Sequence, residues 1–149
     1  MKTIGAFVTG REVYTLRVDQ TVRQAAQYMT ERRVGAVAVL DGDRLVGILS
    51  ERDIMARVVA PGREPDETRV ADVMTRDLVV GEATDSHDAG LRKMRQAGCR
   101  HLPVVDGDRL AGMVSLRDLL QVDLTQKDEE SRWLNAYIHF IPPAREGTS

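Results

Sequence analysis

The chain of 149 residues contains a single cysteine, Cys99, and a single tryptophan. One cysteine excludes a disulfide within the chain and fits a reducing compartment, so we expect a cytoplasmic protein. Aromatic residues make up only 4% of the sequence and the net charge is −2. The stacking platforms and the basic field that are typical of nucleic-acid binding are therefore missing, and we expect no nucleic-acid partner.

Long apolar runs are also missing. No stretch approaches the roughly 20 apolar residues that a membrane-spanning helix requires. The first ten residues, MKTIGAFVTG, lack the long apolar core of a signal peptide. The apolar content of 42% and charged content of 30% are typical of a globular protein, and we expect no membrane partner.

One stretch of the chain occurs twice. Residues 39–54 read VLDGDRLVGILSERDI and residues 104–119 read VVDGDRLAGMVSLRDL, with ten of the sixteen aligned positions identical. The offset is 65 residues throughout, as between Asp53 and Asp118. Because each copy must form the same local structure, this repeat determines the architecture of the chain.

Each copy predicts a strand, a turn, a second strand and a helix. Apolar runs flank an Asp-Gly-Asp sequence, which is typical of a tight hairpin turn. Ser50 and Ser115 end the second apolar run, and Asp53 and Asp118 follow three residues later. The Ser-x-x-Asp spacing predicts a capping box at the start of a helix.

The segments before the two copies also correspond to each other. Short strands are predicted at Val13–Leu16 and at Leu78–Val80. A helix follows each strand, with Thr21 as the predicted N-cap of the first and Ser86 of the second. The unit β-α-β-β-α therefore occurs twice, and the predicted fold class is α/β (α+β) with two pseudo-symmetric repeats.

Proline and glycine mark the boundary between the repeats. We assign the first repeat to residues 10–60, a linker to 61–72, the second repeat to 73–122, and a C-terminal amphipathic helix and tail to 123–149. The C-terminal helix either covers the chain's own core or anchors an interface. Apolar residues are available for packing in the lead-in (Ile4, Phe7, Val8), and a second group is expected to introduce the second repeat (Val70, Val73, Met74).

Two copies of Gly-h-h-Ser-x-x-Asp, where h is apolar, lie at residues 47–53 and 112–118. At a fixed spacing inside matching halves, they make the sequence resemble a tandem pair of CBS domains, the Bateman-type module named after cystathionine β-synthase, in its stand-alone prokaryotic form. The resemblance covers roughly residues 10–122. It implies two lobes packed through their sheets about a pseudo-twofold axis, with clefts that commonly hold AMP, ADP, ATP or S-adenosylmethionine.

The resemblance also implies a function. CBS pairs are non-catalytic regulatory modules that sense a ligand and alter a partner, and they often form flat dimers. We therefore expect a sensor with an adenine nucleotide as regulatory ligand, no required cofactor, a homodimer, and an unfused partner protein. The alternative is a protein-interaction or dimerisation module with vestigial ligand sites.

Asp53 and Asp118 are the family's candidates for the ribose, since a carboxylate can accept two hydroxyl groups. They could equally serve only as helix caps, and both roles are compatible. Ser50 and Ser115 lie at predicted helix N-termini, where free N–H groups favour a phosphate. A pure capping role is the alternative for these serines.

Basic residues are the candidates for phosphate binding. Arg52 and Arg117 occupy a position where family members often carry Ser or Thr, and they could clamp a phosphate or pair with a neighbouring acid. Arg100 and His101 precede a strand, at a place where basic residues of nucleotide-binding relatives reach phosphates. They could otherwise be solvated surface.

Apolar residues would form the slot for the adenine, although such residues belong to the core by default. The candidates in the first repeat are Tyr14, Thr15 and Val37, and those in the second are Val79, Val80 and Leu102.

Catalytic and metal sites have little support in the sequence. Cys99 and His101 could be a nucleophile and a base, but no third group that would orient them is evident. The spacing of Cys99, His101 and His87 matches no structural zinc pattern. We therefore expect neither an enzyme nor a metal protein.

Overall fold

The structure, a computed structural model, describes residues 2–121. Its elements follow the chain as α1 (Ile4–Val8), β1 (Thr15–Arg17), α2 (Val22–Arg32), β2 (Ala36–Asp41), β3 (Arg44–Ser50), α3 (Glu51–Ile54) with a π-helical extension (Met55–Val59), α4 (Val70–Val73), β4 (Gly81–Glu82), α5 (His87–Ala97), β5 (His101–Asp106), β6 (Arg109–Ser115) and α6 (116–121). Among these residues, no helix is both long enough and apolar enough to cross a bilayer.

The strands form two separate three-stranded sheets, in the orders β1-β2-β3 and β4-β5-β6. In each sheet the first pair is parallel and the second is antiparallel. Leu16 pairs with Val39 and Gly81 pairs with Val104, so the registers differ by the same 65 residues as the sequences. β3 contacts β6 across the two repeats. The predicted fold class, with two β-α-β-β-α repeats, is confirmed.

The predicted strand at Leu78–Val80 is wrong. The first strand of the second repeat is Gly81–Glu82, which pairs in parallel with Val104 and Val105. The β-propensity of Val79 and Val80 does not determine where the strand forms, because only residues in register with β5 gain the hydrogen bonds of the ladder. Val80 instead lies before the strand, where its carbonyl accepts a hydrogen bond from Lys93 Nζ (3.1 Å).

The short helices α1 and α4 are exchanged between the repeats. Ile4 and Val8, on α1, are 0% and 3% exposed and belong to the core of the second repeat. Val70, Val73 and Met74 belong to the core of the first repeat. The expectation that these three residues introduce the second repeat is therefore wrong, because the chain folds back onto the repeat it has just completed.

Equivalent backbone hydrogen bonds hold the two exchanged helices in place. The Ile4 N–H donates to the Asp85 carbonyl (2.9 Å), and the Val70 N–H donates to the Gln20 carbonyl (2.8 Å). Both acceptors lie just before the N-cap of a long helix. Each repeat is therefore completed by a segment that precedes the other repeat.

The exchanged segments require the glycine of each repeated motif. A Cβ atom on Gly47 would lie 2.5 Å from Met74 Sδ, and one on Gly112 would lie 2.8 Å from Val8 Cβ. Real Cβ atoms do not approach so closely, so a side chain at either position would push the exchanged segment away. The two glycines thus permit close approach, a common role of glycine within strands.

Candidate functional site

A cavity of about 960 Å³ lies between the two repeats. The first repeat contributes the segment before β1, the end of α2 and the start of β2, and the second contributes the start of β5, the end of β6 and the first turns of α6. The volume is at the upper end of the range of small-molecule sites, about 300–1,000 Å³. The lining side chains that bear on chemistry are Arg11, Glu12, Tyr14, Arg33, Arg100, His101, Ser115, Arg117 and Asp118.

The cavity brings together part of the predicted site. The predicted residues that line it are Tyr14, Arg100, His101, Ser115, Arg117 and Asp118. Val37 and Leu102, at 1% and 0% exposed, are core side chains and do not face it. The remaining predicted residues lie outside its lining and are Thr15, Ser50, Arg52, Asp53, Val79 and Val80.

Asp118 lies at the start of α6, where β6 ends. The Ser115 N–H donates to Asp118 Oδ2 (3.1 Å), and the Asp118 N–H donates to Ser115 Oγ (3.0 Å). This is the predicted capping box, and it fixes the carboxylate beside the cavity. Asp118 Oδ1 accepts no hydrogen bond from the part of the chain that the structure describes. The side chain is 33% exposed, so its carboxylate can accept further donors.

Asp53, the equivalent residue of the first repeat, lies in a closed environment. Its Oδ2 accepts the Ser50 N–H (2.9 Å), and its Oδ1 accepts the Thr75 hydroxyl (3.1 Å). Arg57 Nη1 lies 4.0 Å from Oδ1, and the Asp53 side chain is only 10% exposed. Both carboxylate oxygens are therefore satisfied within the protein.

The difference between the two aspartates comes from the exchanged segments. Thr75 follows α4, and Thr9 occupies the equivalent position after α1. The Thr9 hydroxyl donates to the Gly5 carbonyl (2.8 Å) instead of to an aspartate. Since both positions carry threonine, this pair of residues does not indicate from the sequence that the two aspartates differ.

Tyr14 is held at the cavity wall by two side chains of α2. Its ring meets Tyr28 edge to face, with centroids 6.3 Å apart. The Tyr28 hydroxyl accepts the Thr15 N–H (3.2 Å), and the Arg32 guanidinium lies 3.7 Å from the Tyr28 centroid. This support was not predicted, although Tyr28 and Arg32 lie one helical turn apart in the sequence.

His101 begins β5 beside the cavity. Burial lowers the pKa of its imidazole, and the charge of Arg100 lowers it further, while the carboxylates of Asp118 and Glu51 raise it. Burial prevails, so the pKa of His101 lies below its ordinary 6.5. The neutral ring offers one donor and one acceptor.

Two lining arginines were not predicted. Arg11 follows α1, and its Nη1 lies 3.7 Å from Asp118 Oδ2. Arg33 ends α2 in the left-handed conformation, with φ 56°. Arg11 reaches the cavity only because α1 packs on the second repeat, so no local pattern could have identified it. Arg33 belongs to no motif of the repeat, so no pattern in the sequence marked it as a site residue.

Within residues 2–121, no three His, Cys, Asp or Glu side chains converge as metal ligands. His87 is buried in the second repeat, edge-on to Phe7 (6.2 Å between ring centroids). Its two ring nitrogens have no hydrogen-bond partner among the described residues. The predicted C-terminal helix, residues 123–149, lies outside the described residues, so its interface role and the homodimer stay predictions.

Comparisons with known proteins agree with this architecture. The sequence profile of the CBS domain matches residues 5–60 and 70–124. The CBS domain-containing protein YhcV of Bacillus subtilis is 36% identical over 124 residues, which cover 83% of this chain and 88% of YhcV.

Solved structures show the same fold. A protein with CBS domains from Burkholderia ambifaria is 34% identical, with a TM-score of 0.78 over 83% of this chain and 95% of that one. The structure of CBSX2 in complex with AMP is 24% identical, with a TM-score of 0.71 over 85% of this chain and 99% of that one. This protein belongs to the CBS domain family, and its two CBS domains in tandem form a regulatory module.

Proposed function

We propose that the protein is a sensor that binds an adenosine-containing ligand in the cavity between its two CBS domains. The observation that carries the proposal is the open carboxylate of Asp118 at the wall of a 960 Å³ cavity. A ribose diol needs two acceptor sites on one rigid group, and a capped aspartate provides them.

The other lining residues suit the rest of such a ligand. The fixed ring of Tyr14 and the small side chains of Ala36 and Ala38 line the first-repeat wall and leave room for a flat base. Arg100 and Arg117, from the second repeat, offer guanidinium donors for phosphate. Base, ribose and phosphate would thus each meet a group of matching chemistry.

We further propose that each chain binds one ligand. Both carboxylate oxygens of Asp53 already accept hydrogen bonds within the protein, and its side chain is only 10% exposed, so a diol has little access to the first copy of the motif. Freeing it would leave the Thr75 hydroxyl without its partner. The fold itself is compatible with an adenosine ligand, because the CBSX2 structure of the same fold holds AMP.

Isothermal titration with AMP and ATP tests the proposal. The informative variant is Asp118→Asn, which keeps one oxygen for the Ser115 N–H but loses the charge. Hydrogen bonds to charged groups are worth about 1.5–3 kcal/mol, so we expect affinity to fall about tenfold or more. The control is Asp108→Asn, at the exposed tip of the β5-β6 hairpin, which should bind like the wild type.

The wild-type protein should titrate with one site per chain. Binding by Asp118→Asn that equals the wild type would show that Asp118 does not hold the ligand. Two equivalent sites per chain would show that the Asp53 copy opens in solution.

A further inference from the structure

The cavity carries an excess of positive charge in a chain that is negative as a whole. Four arginines line it, Arg11, Arg33, Arg100 and Arg117, against the carboxylates of Glu12 and Asp118. With His101 neutral, the formal charge of the lining is therefore +2, whereas the net charge of the chain is −2. Such a local field raises the concentration of anions at the cavity.

Three of the four guanidiniums have no partner in the part of the chain that the structure describes. Within residues 2–121, the side chains of Arg33, Arg100 and Arg117 form neither an ion pair nor a hydrogen bond. The structure contains arginines that are paired, such as Arg23 with Asp66 and Arg57 with Asp53. A guanidinium carries five N–H donors, so the cavity presents many donors for anionic oxygens.

Arg11 forms only a weak ion pair with Asp118, so its guanidinium can turn to a bound ligand. Its guanidinium lies 4.1 Å from the Phe7 centroid, and its Nη1 lies 3.7 Å from Asp118 Oδ2. The side chain is 52% exposed, and exposed ion pairs of this length contribute little stability. The ring holds the guanidinium at the cavity while the weak pair leaves its donors available.

Arg33 is fixed by its backbone. Its N–H donates to the carbonyls of Met29 and Thr30 at the end of α2, where the chain turns into β2. The side chain thus starts from a rigid position in the first repeat, in the cavity that Arg100 and Arg117 line from the second repeat.

We infer that the cavity selects its adenosine ligand by charge, preferring a nucleotide with two or three phosphates, and that Arg11 and Arg33 determine this specificity. The inference rests on the proposed function. A second or third phosphate adds negative charge and acceptor oxygens, so a polyphosphate matches four guanidiniums better than a single phosphate does. S-adenosylmethionine carries a sulfonium and an ammonium group, which the same arginines repel.

The test is a set of titrations with adenosine, AMP, ADP, ATP and S-adenosylmethionine in magnesium-free buffer. We expect ADP or ATP to bind about tenfold or more tightly than AMP, and S-adenosylmethionine to bind most weakly. The advantage of the polyphosphates should shrink between about 50 and 200 mM salt, because salt screens exposed charges.

The informative variants are Arg11→Gln and Arg33→Gln. Each should weaken ATP binding about tenfold, since loss of one charge-assisted contact has about that effect, while adenosine binding changes less than about twofold. Arg44→Gln removes the same charge from the exposed β2-β3 hairpin, outside the cavity, and should change neither affinity.

The outcomes separate this inference from the proposed function. If AMP or S-adenosylmethionine bound most tightly, the proposed selection by charge would be wrong, but the proposed adenosine site would still be supported. Equal losses of ATP and adenosine affinity in Arg11→Gln and Arg33→Gln would show that these residues only support the fold. Absence of binding by all five compounds would overturn both proposals.

Discussion

The hydroxyl of Thr75 donates a hydrogen bond to the carboxylate of Asp53, with 3.1 Å between Oγ1 and Oδ1. The backbone of Thr75 also pairs with Ile48 of β3 in both directions, at 2.8 and 3.0 Å. Thr75 therefore joins the exchanged segment to the repeated motif of the first repeat. Two copies of one motif acquire different chemistry because the segment that covers the first copy uses its aspartate.

Replacing Thr75 by valine should destabilise the protein. The variant removes a half-buried donor to a charged acceptor, and the expected loss is about 1.5–3 kcal/mol of unfolding free energy. Urea denaturation measures it. The matched control is Thr9→Val. The Thr9 hydroxyl donates to the Gly5 carbonyl in an exposed setting, so its removal should lower the unfolding free energy clearly less. Equal losses of unfolding free energy in the two variants would contradict the difference between the Thr75 and Thr9 contacts.

Ile4 should contribute strongly to the stability of the protein, although it lies near the start of the chain. Its side chain is 0% exposed, and it packs in the core of the second repeat. We expect Ile4→Ala to lower the unfolding free energy by about 2–5 kcal/mol, as buried large-to-small changes do. Urea denaturation measures the loss.

The control for Ile4→Ala is Val13→Ala. Val13 is 41% exposed, so its truncation should change stability by less than about 0.5 kcal/mol. A loss from Ile4→Ala as small as that from Val13→Ala would mean that α1 does not pack on the second repeat in solution.

The sequence allowed prediction of features that depend on neighbouring residues. The hairpins and the caps at Ser50 and Ser115 are confirmed, because turn and capping chemistry acts over two to four residues. The exchange of α1 and α4 was not predicted, since apolar residues such as Ile4 and Val70 do not indicate which core they join. The contribution of Arg11 to the cavity follows from that exchange and was missed with it.

His87 occupies the position that Val22 holds in the first repeat, and it should be a weak point of the second core. Its ring nitrogens are buried and find no hydrogen-bond partner within residues 2–121, whereas Val22 is fully buried and apolar. An unsatisfied buried polar group costs about 1–3 kcal/mol. We therefore expect His87→Val to raise the unfolding free energy by about 1–2 kcal/mol, measured by urea denaturation.

The reciprocal variant serves as the control for His87→Val. Val22→His places a polar ring in the apolar core of the first repeat and should be destabilising. Destabilisation by His87→Val would indicate that the imidazole makes a contact in solution that compensates for its burial.

The stability of the protein should fall as the pH falls from about 7.5 to 5.5, and His101 should account for part of the loss. Burial holds the pKa of His101 below 6.5, its ordinary value, in the folded state. Below pH 6.5 the unfolded chain therefore binds a proton that folded His101 does not, and protons favour unfolding. The stabilisation is present above the unfolded pKa and is lost as the pH falls through the folded one.

The variant His101→Ala tests this assignment, because Ala36 is the equivalent residue of the first repeat. Unfolding free energies at several pH values should decline less steeply in the variant than in the wild type. The titration of Asp85 does not contribute to the change of stability in this pH range. Burial raises its pKa, but the hydrogen bonds from Lys93 and from the Glu82 N–H, with the charge of Lys93, lower it below 3.8, outside this range. An unchanged pH slope in His101→Ala would mean that His101 titrates alike in both states, since only a difference in proton binding produces a slope.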